Sequence, residues 1–219
     1  LDLLTALFAT VLLVSNVAST KLVVLGPFTF DGGTLLFPLA YIFGDVLTEV
    51  YGYRKSRRVI WIGFFALLLA TLTFQAVAHL PAPPDAESQR FGEAFGLLLG
   101  LTPRIVLGSL LAYFLGEFAN AYVLAKLKVR TEGRFFWLRA LASTLVGQGL
   151  DTGVFLLVAF YGVFPKEVLL AVFLSNYAFK LGVEALMLPF TYAVVGFLKR
   201  AEGMDAYDRD TDFNPFRLT

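Results

Sequence analysis

An all-α, polytopic membrane protein is the fold class this sequence predicts: a bundle of six transmembrane helices with both termini cytoplasmic. Three observations carry that reading. Of 219 residues, 58% are hydrophobic and only 16% charged, where soluble domains carry about 25% charged residues, and the mean hydropathy is +0.72. The apolar surplus, with 23 Phe, exceeds what one core of this length can bury. It also runs in uncharged stretches such as Trp61 to Val77, without the alternation in about ten-residue segments that marks a membrane β-barrel.

A helix needs about 20 apolar residues to cross a hydrocarbon layer of about 30 Å. The charge-poor stretches place spans at Leu3 to Val24, Leu35 to Tyr53, Val59 to Leu80, Ile105 to Leu127, Phe136 to Tyr161 and Val168 to Leu198. These form one transmembrane domain over residues 1–200, followed by a cytoplasmic tail over 201–219. The first span ends beside Lys21, a residue placed to snorkel to headgroups. A basic loop, Arg54 to Arg58, separates the second and third spans, and the Pro-rich piece Pro81 to Pro84 is an external loop. The segment Phe91 to Gly100 is too short to cross and is expected to lie in the outer interface. The sixth span is long enough to tilt or break, and Pro189 removes a backbone donor within it, which predicts a kink.

Orientation follows from the loop cations. Arg54, Lys55, Arg57 and Arg58, then Lys126, Lys128, Arg130, Arg134 and Arg139, then Lys199, Arg200, Arg209 and Arg217 fall on one side; Arg90, Arg104 and Lys166 fall on the other. The positive-inside rule makes the richer side cytoplasmic.

The informative residues are the charges inside the spans: Lys21, Asp45, Glu49, Glu117, Asp151, Lys180 and Glu184. Each unpaired charge costs about 2.5–3.5 kcal/mol at the bilayer centre, so these side chains face a polar interior. Five are acidic and two basic, an excess that a bound cation, a cationic substrate, protonation of the carboxylates or further neutral donors would offset. Helical spacing sorts them into stripes. Tyr41, Asp45 and Glu49 share one line of the second span, and Asn176, Lys180 and Glu184 share one line of the sixth, where Lys180 and Glu184 are also spaced to pair with each other. Gln148 and Asp151 lie three apart in the fifth, beside Gly147, Gly149 and Gly153. Asn16 and Thr20 share a face of the first span, and Glu117 with Asn120 and Tyr113 forms a weaker set in the fourth. Gly108, Gly116, Ala119 and Ala125 offer either a homodimer seam or an intramolecular one.

Other chemistries lack their residues. With no Cys and a single His, His79, thiolate catalysis and multi-His or Cys metal sites have no ligands. The net charge of +1 gives no reason to expect a nucleic-acid partner. Asp208, Asp210 and Asp212 alternate like a calcium loop, but Phe213 stands at the glycine position and no distal Glu follows. No metal or other cofactor is expected.

Three runs carry a resemblance. Phe37-Pro-Leu-Ala-Tyr-Ile-Phe-Gly-Asp-Val-Leu-Thr-Glu-Val-Tyr-Gly-Tyr53, Trp137-Leu-Arg139 leading into Ser143-Thr-Leu-Val-Gly-Gln-Gly-Leu-Asp-Thr152, and Thr211-Asp-Phe-Asn-Pro-Phe216 are similar to the queuosine precursor transporter family. The resemblance covers nearly the whole chain. It implies a six-helix bacterial inner-membrane importer, not an enzyme, whose substrates are the 7-deazaguanines preQ0 and preQ1, with queuine as a further candidate. A guanine-like base presents N1–H beside a 2-amino group, a pair that one carboxylate accepts, while its acceptors want Gln, Asn or Lys donors. Chemistry therefore assigns Asp151 or Glu184 to the base edge, Gln148 and Lys180 to its acceptors, and Asp45 with Glu49 to a cation or proton, with Asn16, Tyr41 and Asn176 completing the substrate-binding set. The buried carboxylates also make proton coupling available. Two rivals stand beside this reading. One is the binding subunit of an ATP-driven vitamin importer, whose AxxxA patch on the first span is missing here and occurs instead at Ala66 to Ala70 and Ala121 to Ala125. The other is an intramembrane carboxylate enzyme, for which no catalytic motif is present.

Overall fold

The computed structural model describes residues 1–25, 28–101 and 103–217, except the side chains of residues 22, 25, 28–31, 34, 37 and 41. Among the described residues seven helices follow in chain order: α1 (Asp2–Ala18), α2 (Phe37–Tyr51), α3 (Tyr53–Ala78), α4 (Ala86–Leu99), α5 (Pro103–Arg130), α6 (Phe136–Phe160) and α7 (Lys166–Glu202). Four of them, α3, α5, α6 and α7, are long and apolar enough to cross a membrane. Exposed Leu69, Leu72, Leu157, Leu170 and Leu186 cover their outward faces with the apolar surface that lipid requires. The chain is a multi-pass membrane protein.

The two remaining predicted spans are shorter than expected. At 17 and 15 residues, α1 and α2 are about 25 and 22 Å long, less than the hydrocarbon thickness. The helix expected over Leu3 to Val24 stops at Ala18, which leaves Lys21 outside it and exposed. Strands β1 (Leu22–Leu25) and β2 (Phe28–Asp31) follow as an antiparallel pair with Leu22 opposite Asp31 and Leu25 opposite Phe28. Hydropathy alone reads this stretch as helix; the short Leu-Val-Val-Leu and Phe-Thr-Phe-Asp runs around Gly26-Pro27 are the strand signal it overrides. A 3-10 turn over Gly32–Leu36 then settles on the end of α1. The positions of Gly32 and Gly33 admit no Cβ, which would lie 2.6 Å from the Ala18 and Ser15 carbonyl oxygens respectively.

Between α2 and α3 the expected basic loop is a single residue. Gly52 adopts φ +80°, a conformation open to glycine, and Arg54 to Arg58 form the first turns of α3. The cap that starts this helix comes from far along the chain: Tyr53 N–H donates to Asp208 Oδ2 at 2.9 Å. Two of the tail's acidic residues thus have structural roles, because Asp208 caps α3 and Asp212 pairs with Arg217 at 2.8 Å. The remainder of the tail straps the same end of the bundle. Arg57 donates to the Asp212 and Asn214 carbonyls, Trp61 Nε1 to the Pro215 carbonyl, and Phe216 stacks on Phe114 with ring centroids 5.9 Å apart.

The segment Phe91 to Gly100 belongs to α4, a 14-residue helix with no buried residue, capped by Asp85, which accepts from Ser88 N–H at 2.8 Å. The long last helix, α7, passes Pro189 and continues unbroken to Glu202. The closest packing joins α5 to α6. A Cβ on Gly147 would lie 2.7 Å from Asn120 Cβ, and one on Gly116 would lie 2.8 Å from Asp151 Cβ. Gly108 and Gly116 therefore serve an intramolecular seam.

Candidate functional site

Side chains from α1, α2, α3, α5, α6 and α7 enclose a cavity of about 550 Å³, within the range of small-molecule sites. It lies toward the end of the bundle formed by the N-termini of α5 and α7 and the C-terminus of α6. Glycine approach explains its position: because α5 and α6 meet at Gly116 and Gly147, Glu117, Asn120, Gln148 and Asp151 come together on one wall. The wall continues onto α7, where Lys180 donates to Asp151 Oδ2 at 2.8 Å and to Thr152 Oγ1 at 3.2 Å. Tyr113, Phe155 and Phe160 supply aromatic surface.

Five of the predicted site residues, Asn16, Gln148, Asp151, Asn176 and Lys180, line this cavity, and Asp45 reaches it from α2. Asn16 and Asn176 are exposed, whereas Asp45 is buried with 2% of its surface accessible. The Tyr41 side chain lies outside the described residues. Glu49 and Glu184 do not line the cavity.

Glu49 is held elsewhere. It is buried at the strapped end, where Arg139 forks onto both carboxylate oxygens. Lys199 Nζ lies 2.8 Å and Lys128 Nζ 3.6 Å from Oε1. Asp205 joins from the tail through Lys128 and Lys199. Three cations thus surround two carboxylates, and Arg139, Lys128 and Glu49 are each no more than 1% accessible. With its charges partnered, this cluster ties α2, α5, α6, α7 and the tail together at the strapped end. The expected Lys180–Glu184 pair does not form either, because Lys180 turns to Asp151 and the Glu184 carboxyl faces Asp45.

Glu117 and Asn120, which the sequence places together in a weaker set outside the selected binding residues, both line the cavity. Asn120 Oδ1 is buried without a hydrogen-bond partner among the described residues. Their spacing on one helical face was the available signal.

The family described as "Putative vitamin uptake transporter" matches residues 31–194, which take in the α5–α6 wall, Asp45 and Lys180. A Bacillus subtilis protein named "Probable queuosine precursor transporter" is 36% identical over 188 residues, 85% of this chain and 80% of the relative. The chain belongs to the queuosine precursor transporter family. Further members named as such are the Escherichia coli K12 "Queuosine precursor transporter", 27% identical over 74% of this chain and 71% of its own, and a Haemophilus influenzae relative, 26% identical over 74% and 67%. No solved structure matches the chain.

Proposed function

We propose that this protein is a bacterial inner-membrane importer of 7-deazaguanine precursors of queuosine, preQ0 and preQ1, with queuine as a further candidate. The carrying observation is the Asp151–Lys180 pair beside Gln148 and Asn120 in a cavity of suitable volume. A carboxylate has acceptor sites for more than one donor, so Asp151, held by Lys180 through Oδ2, accepts the N1–H and 2-amino edge of the base. Asn120 Oδ1, which lacks a donor among the described residues, takes a further amino hydrogen. Gln148 and Lys180 donate to the base acceptors, and the aromatic wall covers its flat face.

Transport follows alternating access across six membrane segments, with α1 and α2 completing the four long spans and both termini in the cytoplasm. In that orientation the cavity occupies the outer half of the bundle, and the Glu49 cluster with the tail strap closes the inner half as a seal. The described conformation is then outward-facing. A proton is the coupling ion in this reading.

Thermal stabilisation of purified protein by preQ0, preQ1, queuine, guanine and riboflavin tests the substrate class. Stabilisation by the deazaguanines and not by riboflavin is the expected result. Equal stabilisation by riboflavin, or none by any deazaguanine in folded protein, would refute it.

A further inference from the structure

At the floor of the cavity two acidic side chains from different helices meet. Asp45 of α2 lines the cavity, and its carboxyl lies within hydrogen-bonding reach of Glu184 on α7. The residues are 2% and 1% accessible. Asp45 Oδ2 and both Glu184 carboxylate oxygens have no hydrogen-bond partner among the described residues. An ionised carboxylate only accepts hydrogen bonds, whereas a protonated one also donates. Two ionised groups here would therefore repel each other and lack donors, while one proton between them supplies the missing bond and removes a buried charge.

We infer that Asp45 and Glu184 form the coupling-proton site of this transporter, a pair that holds one shared proton below the substrate cavity. This assignment rests on the transport reading above and gives it an energy source. The proton enters from water through the cavity onto Asp45, forms an O–H···O bond with Glu184, and leaves to water when the opposite end opens; both carboxylates are then ionised.

The surrounding charges suit that role. Asp45's strongest electrostatic neighbours are Glu184 on α7, Glu49 on its own helix and Glu117 on α5, all acidic. From α6, Asp151 is bonded to Lys180 and Arg139 to Glu49; from α7, Lys199 is also bonded to Glu49. The first turns of α3 carry Arg54, Lys55, Arg57 and Arg58, of which Arg57 donates to tail carbonyls, and Asp2 sits in the opening turn of α1. Lys180, Arg139 and Lys199 are thus engaged with other acids and Arg57 with carbonyls, which leaves the Asp45–Glu184 pair to a mobile proton. The pair also lies between the two halves of the machine. Glu184 is one helical turn beyond Lys180, and Glu49 one turn beyond Asp45, so a charge appearing on the pair is felt by the substrate wall and by the seal.

Two readouts test the assignment. In substrate-free protein at neutral pH, infrared spectroscopy should show a protonated-carboxyl C=O band that persists in Glu117→Gln but loses the pair's component in Asp45→Asn/Glu184→Gln. In proteoliposomes with an imposed gradient of one pH unit, one coupled proton gives about tenfold accumulation of preQ1. Accumulation should fall to about onefold in the separate Asp45→Asn and Glu184→Gln variants, both checked for folding by their elution and melting profiles. Absence of the pair's infrared component, accumulation driven by sodium and indifferent to pH, or full proton-driven accumulation in both variants would each overturn the assignment. Should preQ1 fail to bind at all, the substrate reading falls, and the infrared readout still decides whether the pair holds a proton.

Discussion

Glu49→Gln isolates the role of the seal. The substitution keeps the side chain's shape and removes one of two negative charges from a cluster holding Arg139, Lys128 and Lys199. Glu49, Arg139 and Lys128 are each 1% accessible or less, so water cannot replace the lost charge at the two buried cations. Breaking a buried pair by removing one partner costs about 3–5 kcal/mol. For a chain of this size each kcal/mol moves the melting temperature by about 2–4 °C, so a fall of about 6 °C or more is expected. Restoring charge balance separates electrostatics from shape: Glu49→Gln combined with Lys199→Met should be more stable than Glu49→Gln alone. Thermal melting of the purified proteins in detergent reads both. If Glu49 instead contacted substrate, Glu49→Gln would melt like the wild type and lose substrate affinity, which would refute the seal.

Further outcomes follow from the same geometry. Gly147→Ala pushes a Cβ to 2.7 Å from Asn120 Cβ, and overpacking of this kind costs about 1–3 kcal/mol; it should lower the melting temperature and preQ1 affinity together, because Asn120 lines the cavity. Asp208→Ala removes the cap of α3, a loss of about 1 kcal/mol, measurable as a lower melting temperature and faster amide exchange at Tyr53. Asp205 shows the pH dependence of the seal. Partial burial opposes its ionisation, but hydrogen bonds from Lys128 and Lys199 prevail and hold its carboxyl below the ordinary value. Its contribution is therefore present above that ordinary value and lost as pH falls through the lowered one. The stability gap between wild type and Asp205→Asn should accordingly be constant above about pH 5 and shrink as pH falls below the ordinary carboxylate range.

The membrane class and the four long spans were legible because they depend on local composition, which a sequence displays directly. So was much of the cavity: Gln148 and Asp151 share a helical face, and polar side chains in an apolar span have few places to point. Partnerships across the chain were not legible. Glu49 meets Lys128, Arg139 and Lys199 at separations of 79, 90 and 150 residues, and those same cations read in sequence as ordinary cytoplasmic loop charge. Spacing on α7 suggested a Lys180–Glu184 pair, yet the approach of α5 to α6 through Gly116 and Gly147 carries Asp151 to Lys180 and leaves Glu184 to Asp45. The start of α3 was hidden for the same reason, since its capping carboxylate belongs to the tail. The hairpin after α1 was obscured by its own hydrophobicity, which a span search cannot tell from helix.

Uptake of labelled preQ1 by proteoliposomes containing this chain alone, compared with the same vesicles carrying Asp151→Asn, tests the central claim most directly. Loss of a charged acceptor from a donor pair costs about 1.5–3 kcal/mol, about a 10- to 100-fold fall in apparent affinity. Saturable uptake by the wild type and that fall in the variant are the expected result. No uptake by folded, reconstituted wild type, or undiminished affinity in Asp151→Asn, would contradict the account.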